Sequence, residues 1–526
     1  MKKYGEPIFG TVAEKAPVTK TTHGYVRGEN RDGIAIFRGI PYGGACDGQR
    51  RFLPPIPAEH WDGILDCTQN GPYAVQEGCS ISGSKELGAY FSGGRPELFG
   101  VAEERQSENC LVLNVLTPGL DEQKRPVVVY IHGGGFTSGS GTLVLGADKF
   151  VREEDIVVIG INHRLNVFGY LYLGELDARY AQSGMAGMLD IVLALQWIRD
   201  NAQAFGGDPT RVTIMGESGG GMKVNHLLAM EQARGLFHRA IVESSPLSVA
   251  QLSRKDAAAF TDRLLKALKI ERSQWRKLLD IPAQELVAAV MKLETHPLSI
   301  LPVADEISLS YDPGKSYTAP EISKDIPVMI GSSEDEVGVF VREDEIYVTA
   351  DHLAEKLLEA SPNWCLQNSS ITVDNVEEIV RFVQSTNDKN DDAVHLLVKI
   401  KSLFGELGGD AYEQAKVMAE ANTAPVYHYL VRYDSPCPGW PDRRFSWHTA
   451  DLPLQFRIVL YPQSERLSRQ MAHTWAAFIR TGDPSTDSLV WPRFTNEEKN
   501  MMVFDQTSEV RADPFEQMRK YHRRRI

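Results

Sequence analysis

An α/β fold, with a mostly parallel central sheet flanked by helices, is the class this sequence predicts from three observations. Pro126-Val127-Val128-Val129-Tyr130-Ile131 is an unbroken apolar, β-branched run, the pattern of a parallel strand buried on both faces. Arg211-Val212-Thr213-Ile214-Met215 is a second such strand, and it leads through a glycine-rich turn into a helix-compatible segment. Residues from about 250 to 440 carry amphipathic helical spacing, at 256–270, 283–293 and 350–360, suited to a cap over a site.

The turn after the second strand is Gly216-Glu217-Ser218-Gly219-Gly220, a G-x-S-x-G pattern between strand and helix. A serine hydroxyl becomes a useful nucleophile once it is lifted from the fold, handed to a base and set beside oxyanion donors. Glycines flanking Ser218 permit the tight turn that lifts it, because they carry no Cβ to clash. The first strand runs into His132-Gly133-Gly134-Gly135-Phe136. Backbone N–H groups of such a turn can converge on a developing negative charge. A phosphate-binding turn is the competing reading. It finds no support, since neither G-x-x-x-x-G-K-[ST] nor a helix-opening G-x-G-x-x-G is present here.

Around these turns lie Phe37-Arg38-Gly39-Ile40-Pro41-Tyr42, Arg51-Phe52-Leu53-Pro54-Pro55, Trp61-Asp62-Gly63 and Ser107-Glu108-Asn109-Cys110-Leu111. Further along come Asn162-His163-Arg164-Leu165, Phe205-Gly206-Gly207-Asp208-Pro209, Gly235-Leu236-Phe237-His238-Arg239 and Trp491-Pro492-Arg493-Phe494. With these motifs in this order, the chain resembles the type-B carboxylesterases, the branch of the α/β-hydrolases that includes cholinesterases, and the prokaryotic-type intracellular enzymes in particular. The resemblance runs almost end to end. It implies an α/β-hydrolase fold with a helical cap-like region over an active-site gorge, one catalytic domain over residues 1–526, and acyl-enzyme chemistry with no cofactor and no metal.

The resemblance also implies roles for single residues. His448, in Phe445-Ser446-Trp447-His448-Thr449-Ala450-Asp451, stands in the family's loop for the catalytic base. His428 and His473 lie in strand and helix patterns and read as structural. The triad acid follows the strand Ile326-Pro327-Val328-Met329-Ile330-Gly331. Aligning Gly331 gives Glu336, with Asp335 as the alternative and Glu334 as a solvated loop carboxylate. Val337 occupies the place of the glycine that usually follows the acid. Oxyanion donors fall at Gly134, Gly135 and Gly219, the last replacing the family's usual alanine. Glu217 and Ser244 match residues that support the triad from behind. Met222 and Lys223 stand where small residues are usual, so they either shape the acyl pocket or reflect a packing difference. Residues 80–106 (with Tyr90, Phe91 and Phe99) are expected to form a loop at the gorge mouth, a plain surface loop being the alternative.

Composition fits an enzyme acting on small molecules. At 526 residues and 42% hydrophobic content the chain can bury a large core. A net charge of −14 argues against a nucleic-acid surface, which needs basic patches. The basic end, Arg519 to Arg525, is expected to be solvated. The start shows no secretory h-region, and no run approaches the roughly 20 apolar residues of a membrane span. Secreted relatives bridge a cysteine matching Cys110 to one near position 74, where this chain has Ala74; Cys67 or Cys79 could substitute. These features point to a reduced, cytoplasmic enzyme with no membrane partner; a monomer or homodimer is expected. The expected activity is serine-dependent hydrolysis of small to medium apolar carboxylic esters. An acyltransferase or amidase using the same acyl-enzyme is the alternative, separable by product analysis with competing alcohols or amines. A non-catalytic binding protein of this fold would typically lack the nucleophile, which Ser218 supplies.

Overall fold

The structure, a computed structural model, describes residues 16–521 except 77–104, 247–250, 294–299, 310–318, 360–370, 387, 390, 406, 438–439 and 460. The predicted gorge-mouth loop therefore lies almost wholly outside the described residues. An 11-stranded sheet organises the rest. Its strands in chain order are β1 (Glu29–Arg31), β2 (Ile34–Pro41), β3 (Val112–Thr117), β4 (Arg125–Ile131), β5 (Val157–Ile161) and β6 (Gly207–Glu217), then β7 (Arg239–Glu243), β8 (Val328–Ser333), β9 (Val426–Val431), β10 (Asn500–Phe504) and β11 (Glu509–Ala512). In space they run β11-β10-β9-β8-β7-β6-β4-β5-β3-β2-β1. From β10 to β5 every pairing is parallel, and antiparallel strands close both edges.

The all-apolar strands are buried on both sides, as a parallel sheet between helical layers requires. Val127, Val129 and Ile131 of β4 join Val212 and Ile214 of β6 in one core. That core is closed by Ile191, Leu195 and Ile198 of helix α1 (Ala186–Asn201). Val128 and Tyr130 point the other way, to Met471, Trp475 and Phe478 of a long helix at 465–481. Side-chain alternation along each strand thus builds both layers from one run of residues. Five adjacent strands, β9, β8, β7, β6 and β4, end on the same carboxyl edge, where open α/β sheets bind their ligands.

Helices enrich the region predicted to be helical. Helix α2 (Gly219–Leu228) follows β6, and α3 (Arg254–Ala267) and α4 (Ala283–Leu293) pack on the first core through Phe260, Leu264, Leu286 and Val290. Helices α5 (Val376–Ser385) and α6 (Ala393–Phe404) form a separate apolar cluster with Leu353, Leu357, Phe515 and Met518. The expected helix at 350–360 is a short 3-10 turn followed by Leu353–Leu358. The basic end is not simply solvated where it is described: Arg519 pairs with Asp513 at 2.9 Å and stacks on Tyr412, and Tyr521 donates to Glu378. Cys67 and Cys110 are both buried free thiols, so no bridge joins them, and Cys79 lies outside the described residues.

Arg164, in one of the motifs quoted above, is buried with Asp190 of α1, bonded at 2.6 and 2.8 Å, and also donates to Leu53 O. Removing one partner of such a pair leaves a charge in the core without compensation. Asp190→Asn is therefore expected to lower unfolding stability by about 3–5 kcal/mol, read as a fall in urea midpoint at unchanged slope. A change under about 1 kcal/mol would show that the guanidinium is compensated elsewhere.

Candidate active site

Ser218 sits at the end of β6 with φ 58° and ψ −123°, a conformation that holds its side chain out of the strand. Two close approaches make the elbow possible. A Cβ on Gly216 would lie 2.4 Å from Gly220 C, and one on Gly220 would lie 2.1 Å from Ile131 O. The flanking glycines are thus needed for space, while the unusual backbone angles fall on the serine itself. Its N–H donates to Glu243 O at 2.8 Å, tying the elbow to β7.

The glycine turn at the end of β4 folds against this elbow. Gly134 and Gly135 have φ of 80° and 60°, open to glycine at little cost. Gly134 O accepts from the Ser138 N–H at 3.1 Å. Position 219 is shaped by the same contact: a Cβ there would stand 2.3 Å from Gly135 O and 2.5 Å from Gly135 N. Its glycine is therefore a steric requirement of how closely this turn approaches. Gly219→Ala is expected to push the turn away and lower kcat by about 10²-fold at little change in KM, the effect of misplacing a group by an ångström. An unchanged kcat would show that the turn gives way without consequence.

His448 lies beyond β9, fully buried, and its Nδ1 is 2.5 Å from Glu336 Oε2. Glu336 begins a 3-10 turn (Glu336–Phe340) directly after β8. Its other oxygen, Oε1, accepts from Ser244 Oγ at 2.6 Å and from Ser333 N–H at 2.7 Å. Val337, where glycine was expected, keeps negative φ in that turn and donates its N–H to Ser402 Oγ of α6. Asp335 bonds the backbone of the histidine loop, accepting from the Ser446 N–H at 3.2 Å. Burial, then the nearby Glu334 charge, pushes the Asp335 carboxyl up to about 7. Glu334 is not a solvated carboxylate. It is buried in an ion cluster with Arg432 at 2.9 Å and Lys399 at 3.5 Å, whose members lie far off in sequence.

His448 Nε2 has no hydrogen-bond partner among the described residues. Glu217 Oε1 approaches it to 3.2 Å, but not in hydrogen-bond alignment. Burial, then the charges of Asp451, Glu336 and Glu243, holds the Glu217 carboxyl well above the usual carboxylate range. Asp451 and Glu243, to which sequence reasoning gave no role, converge on Tyr429 OH behind the site. Their positions become visible only when β7, β9 and the histidine loop are laid side by side. His428 is buried on β9 and bonds Ile330 O through Nδ1, while His473 is half exposed beside Glu154.

Comparison with known proteins places this architecture. The Geobacillus stearothermophilus carboxylesterase EST55 at pH 6.2 superposes with a TM-score of 0.78 at 32% identity, covering 96% of this chain and 100% of that one. The fold class is therefore the α/β-hydrolase class. The chain belongs to the carboxylesterase family, whose model matches residues 15–522, and it is a carboxylic ester hydrolase. Among curated relatives, the para-nitrobenzyl esterase of Bacillus subtilis (strain 168) is 30% identical over 521 residues, 96% of this chain and 98% of that protein. The phenmedipham hydrolase of Pseudarthrobacter oxydans is also 30% identical, over 94% of this chain and 97% of its own length. Among the described residues, no helix is long and apolar enough to cross a membrane.

Proposed function

We propose that the chain is one catalytic unit that hydrolyses small to medium apolar esters through an acyl-enzyme on Ser218. The observation that carries this reading is the short Glu336–His448 contact, which leaves Nε2 free on the same sheet edge as the strained serine. With Nδ1–H donated to Glu336, the imidazole holds its lone pair at Nε2, the atom suited to take the serine proton. Ser218 Oγ attacks the ester carbonyl as its proton passes to His448 Nε2. The N–H groups of Gly134, Gly135 and Gly219 receive the oxyanion. Collapse breaks the ester C–O bond, and His448 returns the proton to the departing alcohol. Water then loses a proton to His448 and attacks the acyl carbon; the acyl C–Oγ bond breaks, His448 returns that proton to Ser218 Oγ, and the carboxylic acid is released. Burial and the neighbouring carboxylates hold the Glu217 carboxyl well above the usual range, which works against a second full counter-charge competing with Glu336 beside the imidazole.

The reading takes the enzyme to be cytoplasmic, a monomer or homodimer, with no nucleic-acid partner. A panel of p-nitrophenyl esters of graded acyl length tests the substrate class. Turnover is expected to be highest for short and medium chains and to fall for long ones. Turnover restricted to charged or long-chain esters would contradict it.

A further inference from the structure

Lys223 is the residue that the activity leaves unexplained. It lies on the second turn of α2, wholly buried, and among the described residues no carboxylate pairs with it. Its ammonium donates to two carbonyl oxygens, His132 O at 3.0 Å and Gly135 O at 2.7 Å, and lies 5.1 Å from the centre of the Phe136 ring. Those carbonyls bracket Gly133, Gly134 and Gly135, a glycine run with little intrinsic conformational restraint. An unpaired buried ammonium is costly, and it persists only where its hydrogen bonds are well made.

We propose that Lys223 is a positioning residue for the oxyanion turn, clamping both ends of the glycine run so that the Gly134 and Gly135 N–H groups are aimed before substrate arrives. The inference rests on the acyl-enzyme reading above. The two N–H···O bonds to the flanking peptides fix their planes, and a glycine run fixed at both ends loses its freedom before the reaction rather than during it. The glycine at 219 belongs to the same device. Gly135 O is both the atom Lys223 holds and the atom a Cβ at 219 would strike, so the clamp and the missing methyl require each other. The side chain is thereby committed to the backbone of the turn. This separates it from the acyl-pocket role left open from the sequence. Burial pulls the Lys223 ammonium down to about 7. The neighbouring His132 and His163 rings stack at 4.7 Å and are held neutral by burial and by the Lys223 charge, so neither competes for the carbonyls as a cation.

The test is kinetic, on full-length protein. Lys223→Met removes charge and donors at similar length, and Lys223→Gln keeps a donor without charge. Lys223→Met is expected to lower kcat on p-nitrophenyl acetate by about 10- to 100-fold with KM within about twofold. Affinity for a trifluoromethyl ketone, which forms a tetrahedral oxyanion adduct, should fall by the same factor. Lys223→Gln should fall between, and it decides the matter if the Met variant does not fold. Gly219→Ala should cost less in the Lys223→Met background than in the wild type, because the released turn can move aside. Unchanged kcat and ketone affinity in both lysine variants would overturn the proposal, as would strictly additive effects with Gly219→Ala. Wild-type enzyme that neither reacts with the ketone nor turns over p-nitrophenyl acetate would instead sink the acyl-enzyme reading itself.

Discussion

Ser218→Ala is expected to reduce kcat on p-nitrophenyl acetate by at least about 10⁴-fold, with binding of ester-like ligands retained. The size follows from what is removed. Water cannot replace an oxygen held at φ 58° on the end of β6, on the sheet edge that also carries the glycine turn. The residual rate should come from the oxyanion donors and from substrate orientation alone. Activity within tenfold of wild type would mean that some other group attacks the ester. The same protein should unfold near the wild-type midpoint, since the hydroxyl removed makes no side-chain hydrogen bond among the described residues.

The acid provides the second large effect. Glu336→Gln should lower kcat by about 10⁴-fold, while Asp335→Asn should leave it within about tenfold. A glutamine can turn its N–H toward Nδ1 and stabilise the wrong imidazole tautomer, so that Nε2 carries a proton and cannot accept one. Asp335 touches the loop backbone at Ser446 and not the ring, so its amide should act on stability. Burial raises the Asp335 carboxyl to about 7 in the folded protein, against about 4 in an unfolded chain. The folded state then holds the proton more tightly, so this group favours folding at low pH, and that contribution is lost as pH rises from about 4 towards 7. Asp335→Asn, neutral at every pH, should therefore show a smaller fall in stability across that window than wild type, measured by urea melts at pH 5 and 7. The reverse order of the two kcat losses would transfer the acid's role to Asp335.

Much of the fold and the core of the site could be read from the residues because their signals are local. Strands β4 and β6 are continuous apolar runs, and the turns that follow them carry their glycines within a few positions. The histidine loop was legible through its neighbours. What could not be read depends on strands and helices brought together from afar. Glu334 looks like a loop carboxylate until Arg432 and Lys399 are folded against it. Asp451 lies in a quoted motif, yet its meeting with Glu243 requires β7 and β9 in register beside β8. Val337 stands where the family glycine is usual, but the turn keeps negative φ there and needs none. Lys223 is the sharpest case. A lysine among small residues reads as a packing change, and its bonds to carbonyls 88 and 91 residues earlier belong to the folded chain alone.

The central claim is that one serine carries the acyl group, and a fluorophosphonate label located by peptide mass spectrometry tests it most directly. The label should be found on Ser218, appear in step with the loss of esterase activity, and vanish in Ser218→Ala. Stoichiometric label on another residue, or full inhibition with Ser218 unmodified, would contradict it.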